Sequence, residues 1–579
     1  MLAAPGPINR RELLRLGVLV ASTGAAALAA ACGGAPASPT AAPKAAEPTK
    51  PAAPAATATP APAAKPAEPT KPAAAPTAAP AAATKPAAAA PAGAGKPGGK
   101  ITWAIESDPV NLIPYGGIST SNMWGKEFMY DSLLEWDRDL KVQPALAEEY
   151  TTPDDKTYLF KIRKGVKFHD GKELDAEDVK YSLEAAANPQ PPGIKIAQYP
   201  KIASIDVVDK YTVKFNMSQP DPTVPGFLAW ARYSPIIPKG AYDPAKVLTS
   251  GIGTGPFKLV EFVGNDRVVY TRNPNFWKQG LPYLDDLTLK VLPDEQARVA
   301  ALRSGAIDGC TVSADVARTL RNDRNLTVLK GLTSAPRVLQ FTLKGDGKPW
   351  NDKRVRQAIS MAINRQEIID KVYGGEAVLT GPIPPGYGDW FIPPEELAAK
   401  WFKHDLEGAK QLLAQTPYKD GFAIELQAIA APPDYTRNAE VVKEQLKPLK
   451  IDVKVVPLEI GTFAKNIGDG NYEWGSTGRG MRGDPSGYVV DFRPPPNNPY
   501  FTAWKNDELM KLYDEALVTI DPAKRKPMYR KIQELILEEA PHIYLVQNYK
   551  FHVVRSHLKN MYVSFTDFHT GLREAWIEK

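Results

Sequence analysis

The sequence predicts an α/β protein of mixed sheets flanked by helices. Short β-rich runs alternate with amphipathic helices from residue 100 to the C-terminus. Their spacing lacks the regular strand–helix–strand period of a purely parallel sheet. The stretch 101–579 is also long enough to bury two or more hydrophobic cores without disulfides, since the chain has only two cysteines.

The first element is an export segment. Arg10, Arg11 and Arg15 precede the apolar run Leu16–Ala31, which ends at Ala29-Ala30-Ala31-Cys32-Gly33. Sixteen residues at ~1.5 Å each fall short of the ~30 Å hydrocarbon core, so the run is a poor permanent span. The paired arginines followed by Leu13-Leu14 resemble a twin-arginine export motif. Ala29–Cys32 resembles a bacterial lipobox, with Ala29 where leucine is preferred and Leu28 one place early. Residues 1–32 therefore read as a signal peptide and Cys32 as the lipidation site, anchoring the protein outside the cytoplasm to the cell membrane, in the periplasm or on the outer face.

Residues 33–100 repeat Ala, Pro, Thr and Lys without an aromatic residue and read as a disordered, extended linker. The tail also accounts for the basic pI. Residues 1–32 carry +2, from three Arg and one Glu, and 33–100 carry +5, from seven Lys and two Glu. Of the net +6, the remainder of the chain is left with about −1, which gives no nucleic-acid footprint.

Within the folded part, Lys100–Ile105 predicts a first strand. Tyr158–Arg163 and Tyr211–Phe215 alternate apolar and polar residues as half-buried strands do. Asp175–Leu183 predicts a helix with an acidic first turn. Asp352–Tyr373 predicts one longer helix with Val355, Ile359, Ala362 and Ile363 on a face, ended by Gly374-Gly375. Asp521-Pro522 opens another by N-cap and first-turn proline logic, with Met528, Ile532, Leu535 and Ile536 inward and Pro527 expected to distort its start.

Five passages in register resemble the family five extracellular solute-binding proteins of ABC importers, which include dipeptide-, oligopeptide- and nickel-binding proteins. They are Gln143–Glu148 with Gly165–Gly171 and Leu174–Val179; Gly253–Phe257 with Arg272–Trp277; Arg303–Asp308; Asp352–Ile359 with Gly381–Pro385; and Asp521–Arg525 through Glu538–Pro541. The resemblance implies two lobes joined by a hinge, with a solute-binding cleft between them. Lobe I would span 101–337, with an extra subdomain at about 140–245. Lobe II would span 338–548, and 549–579 would return to lobe I. Chain crossings are expected near 338 and 548. The implied partners are a small solute, an ABC permease and its ATPase subunits, and the protein is expected to be a monomer.

In peptide-binding members a Trp and an Asp precede an Asp-Pro pair, and that Asp holds the peptide's ammonium. Aligned on Asp484-Pro485, the two places fall on Gly478 and Met481, while Arg479 and Arg482 stand nearby. Unless Asp484 or Asp491 takes the missing acid's part, the ligand is expected to be bound by carboxylate or hydroxyl recognition, for which arginine forks are suited. Tyr115, Trp230, Tyr233, Tyr387 and Trp390 are the aromatic cleft candidates by their place in the family fold. An oligopeptide or peptide-like solute is the first expectation and an oligosaccharide the second.

No Gly-x-Ser-x-Gly or His-Glu-x-x-His motif occurs in the chain. An extracytoplasmic enzyme or a structural lipoprotein is thus the rival from another class, and no catalytic residue, metal or cofactor is assigned. Gly478, Gly480 and Gly483 match a dinucleotide fingerprint literally, but a turn follows where a helix would have to start. Cys310 reads as a buried apolar residue, and His552, His557 and His569 as residues decorating strands and loops.

Overall fold

The computed structural model describes residues 95–109, 111–115, 123–188, 199–241, 251–478, 480, 482–493, 502–566 and 569–579. All belong to one compact unit, Ala78–Lys579. The signal segment, Cys32 and the linker up to residue 94 lie outside the described residues.

The predicted first strand, Lys100–Ile105, is the centre of an eight-stranded mixed sheet. The order is Leu326–Leu332, Val546–Arg555, Gly309–Val312, Lys100–Ile105, Asp286–Val291, Arg267–Arg272 and Phe257–Val263. Ala377–Leu379 adds to Val546–Arg555 off this path. Lys100–Ile105 is parallel to both neighbours, whereas the outer pairs are antiparallel. Cys310 is buried in this sheet.

The two alternating segments pair with each other in a four-stranded antiparallel sheet, Ala147–Asp154, Thr157–Ile162, Thr212–Met217 and Ile202–Asp209. Their alternate residues Tyr158, Phe160, Ile162, Val213, Phe215 and Met217 are buried in one cluster, as a period of two requires. The helix Ala176–Ala187 covers it. Asp175 caps it by accepting from the backbone N–H groups of Glu177 and Asp178, and the Asp178 carboxylate accepts from the Asp175 N–H.

A five-stranded sheet forms the second core, in the order Ile451–Leu458, Phe422–Ile429, Trp474–Gly478, Arg337–Phe341 and His542–Tyr544. Phe341 stacks on Trp474 here at 4.9 Å. The predicted helix 352–373 is in fact two helices, Lys353–Ala362 and Arg365–Tyr373. Ile363 is extended, and the Asn364 side chain accepts from the Glu367 N–H at 3.1 Å, starting a new helix. A side-chain acceptor that satisfies the backbone locally competes with helix continuation. The helix Pro522–Glu539 is capped by Asp521 as expected, and it runs unbroken through Pro527.

The chain passes from the eight-stranded to the five-stranded sheet between Leu332 and Arg337, and returns between Tyr544 and Val546; between these passages Ala377–Leu379 joins the eight-stranded sheet through Val546–Asn548. Both passages lie a few residues before the expected positions. They run side by side, because the Leu545 N–H donates to the Arg337 carbonyl (3.0 Å) and the Thr333 N–H to the Asn548 carbonyl (3.1 Å). The eight-stranded sheet with its four-stranded subdomain is lobe I below, and the five-stranded unit is lobe II.

Candidate functional site

On lobe I, the aromatic candidates Tyr115 and Trp230 share one apolar cluster, with Tyr233 packed against it. Tyr115 is buried, and its hydroxyl donates to the Pro235 carbonyl at 3.2 Å. Trp230 is buried and meets the half-buried Tyr233 edge-on at 4.9 Å. Arg232 lies between them in sequence, with its guanidinium 5.4 Å from the Trp230 ring and 5.5 Å from the Tyr233 ring. Cations over aromatic faces are held by the ring quadrupole. Nearby, Lys126 donates to the carbonyls of Ile113 and Pro114, both at 2.8 Å. Burial first, and the charge of Arg232 second, hold its ammonium well below the ordinary lysine range. Lys550 stands 5.9 Å from the Trp124 ring.

On lobe II, the candidates gather around the loop that follows Trp474–Gly478. The Tyr387 hydroxyl donates to the Arg482 carbonyl at 2.9 Å, and Arg482 Nε donates to the Gly487 carbonyl at 3.3 Å. Asp484 is 8% exposed and takes a two-pronged contact from Arg525, at 2.8 and 3.0 Å. It also accepts from the Ser486 N–H at 2.9 Å. Burial would lower Arg525, yet Asp484 lifts it above its ordinary value. Asp484 is therefore not available as the acid for a ligand ammonium, because its oxygens already neutralise a buried arginine. Trp390 stands behind this pair, edge-on to Tyr529 at 5.8 Å and 5.5 Å from the Arg525 guanidinium. Its surroundings open into a groove of about 750 Å³ with Asp389, Phe391 and Pro522. Arg479 and Met481 lie outside the described residues. Asp491 is buried beside His542 and Tyr544, where the chain leaves lobe II.

The two groups meet. Gly226, in the short helix Val224–Leu228 of the lobe I subdomain, lies against Gly483 of the lobe II loop. Phe227 stacks on Tyr233 with the planes 3° apart, tying this helix to the Trp230 wall. Trp390 is joined to Tyr387 directly, its N–H donating to the Tyr387 carbonyl at 3.3 Å, and it also stands against Arg525.

Sequence reasoning missed Arg232, Lys126, Gly226 and Arg525. Arg232 had a signal, a cation inside an aromatic run; Gly226 and Arg525 had none that is local. It also underrated two histidines. His552 and His569 are buried and stacked at 5.5 Å, with Trp103 edge-on to both. The His569 N–H donates to Glu127, whose carboxyl burial pushes up to about 8, while burial pushes both imidazoles well down. These groups are core, not decoration.

Two α/β lobes joined by a pair of adjacent chain crossings form a periplasmic-binding-protein-like fold. Residues 141–499 match the model of bacterial extracellular solute-binding proteins, family 5 (middle region), and the chain belongs to that family. The glutathione-binding protein GsiB of Salmonella paratyphi A is 29% identical over 476 residues, covering 79% of this chain and 90% of the relative. Among solved structures, AgaA of A. tumefaciens in complex with agropinic acid is 26% identical with a TM-score of 0.69. That likeness covers 83% of this chain and 99% of the other. The binding protein DppA of Helicobacter pylori in complex with the peptide STSA is also 26% identical, with a TM-score of 0.70, over 84% and 99%.

Proposed function

We propose that this chain is the lipid-anchored receptor subunit of an ABC importer, and that its interlobe cleft captures a peptide-like solute bearing carboxylates for delivery to the permease. The charge of the cleft walls carries this reading. Arg232 on its aromatic seat and Arg482 on the opposite lobe are cations. The neighbouring acids are spent internally, Asp484 on Arg525 and Asp131 on Arg573. A carboxylate entering such a place exchanges water for charge-assisted hydrogen bonds. The ligands of the relatives agree in kind, since glutathione, a peptide and agropinic acid all carry acid groups. Tyr115, Trp230, Tyr233 and Tyr387 supply apolar walls, and anchoring falls to Cys32 after export, by the twin-arginine route if the paired arginines are read.

The test is a thermal-shift screen of the full-length protein, refolded to strip carried-over ligand, against glutathione, free-amino and N-acetylated peptides, oligosaccharides and nickel chelates. A ligand at ~100 times its Kd adds ~2.7 kcal/mol, a shift of a few degrees at this size. Glutathione or peptides are expected to shift the melt, and Arg232→Ala to weaken them. Shifts with sugars alone would overturn the solute class. Membrane retention of Cys32→Ser after signal cleavage would overturn the anchor.

A further inference from the structure

The contact between Gly226 and Gly483 is backbone on backbone. A Cβ on Gly226 would sit 1.7 Å from the Gly483 carbonyl oxygen and 2.8 Å from its carbon. A Cβ on Gly483 would sit 3.2 Å from the Gly226 carbonyl group and 3.5 Å from the Phe227 nitrogen. The first is impossible without movement, and the second is merely tight. Neither glycine has a left-handed backbone, so neither is required by a turn. What they permit is close approach, with a Cα–H of Gly226 against a carbonyl.

Both sides of the contact are firmly held. Val224, Phe227 and Leu228 are buried in the apolar cluster of the subdomain. The Gly483 loop is pinned by the Asp484–Arg525 pair, by Tyr387 on Arg482 and by the Tyr513 hydroxyl on the Ser486 carbonyl at 3.1 Å. Two firmly held surfaces, one from each lobe, thus touch beside the aromatic wall, and there the side chains are absent.

We propose that Gly226 and Gly483 form the stop that sets the closed position of the lobes, and that Gly226 is a positioning residue for solute capture. The bare backbone at Gly226 fixes how near the lobe II loop comes to the Trp230–Tyr233 wall, and so fixes the width of the cleft. This inference rests on the reading of the interlobe space as the solute site.

The geometry ranks three substitutions. Gly226→Ala removes the closed position, Gly483→Ala strains it, and Gly480→Ala, where a Cβ meets nothing within 4 Å, does neither. Spin labels at Val208→Cys on lobe I and Ile460→Cys on lobe II, both exposed, read the lobe separation in the full-length chain with Cys32→Ser and Cys310→Ser. Distances are recorded without ligand and with glutathione as the probe.

The parent and Gly480→Ala are expected to populate a short distance, Gly483→Ala less of it and Gly226→Ala none. The ligand-free melting temperature of Gly226→Ala should be equal or higher, because alanine favours a helix over glycine. Equal distances in the parent and Gly226→Ala under both conditions, or a fall in the ligand-free melting temperature of Gly226→Ala, would overturn the stop and make the contact fixed packing. A short distance that Gly226→Ala abolishes but glutathione does not alter supports the stop while removing glutathione as the solute, so the two readings fail separately.

Discussion

The two surfaces that meet at Gly226 and Gly483 are built from different forces. The lobe I side is a short helix seated by apolar burial of Val224, Phe227 and Leu228. The lobe II side is a loop seated by a buried ion pair, Asp484 with Arg525, and by tyrosine hydroxyls on its carbonyls. Burial is roughly proportional to area and forgiving of shape, so a seat of that kind tolerates exchange of one apolar residue for another. An ion pair in the same setting is unforgiving, because removing one partner strands the other charge.

Arg525→Met gives the largest expected effect. With Asp484 left unpaired, the protein should lose about 3–5 kcal/mol in urea unfolding, and Arg525→Met with Asp484→Leu should recover much of it. Leu228→Met, a volume-conserving swap on the other surface, should cost under about 1.5 kcal/mol. Comparable losses from Arg525→Met and Leu228→Met would erase the distinction.

A second contrast lies behind the lobe I wall, where buried polarity is met by neutralisation. The Glu127 carboxyl is raised to about 8 in the folded state, so the stability it contributes is present at low pH and is lost as pH climbs through that value. Glu127→Gln should therefore gain on the parent as pH rises from 5 to 8, by up to about 1.4 kcal/mol per pH unit. Parallel stability curves for the two proteins would place a charged carboxylate there instead. The smallest effect belongs to Tyr387→Phe, which deletes one hydroxyl from the Arg482 carbonyl and should cost about 0.5–1.5 kcal/mol.

Local elements were legible in the sequence where a periodic or capping signal was present. Alternation marked the strands carrying Phe160 and Phe215, and Asp175 and Asp521 announced their helices. The break at Asn364 was hidden because Val355, Ile359, Ala362 and Ile363 keep one buried face up to it, so the apolar pattern alone gave no stop. In the site, aromatic residues could be nominated by position, but their partners could not. Asp484 finds Arg525 only through the packing of a helix 41 residues away. Gly226 carries no backbone signature, so nothing nearby in the chain distinguishes it from an ordinary helical glycine.

The paired crossings between the sheets have a mechanical consequence. The Leu545 N–H reaches Arg337, the Thr333 N–H reaches Asn548, and the Gln547 side chain reaches the carbonyls of Thr333 and Pro385. The two ribbons are thus laced to each other and to the segment that carries Ala377–Leu379 and Pro385, so that parting any one of the three breaks hydrogen bonds to the others.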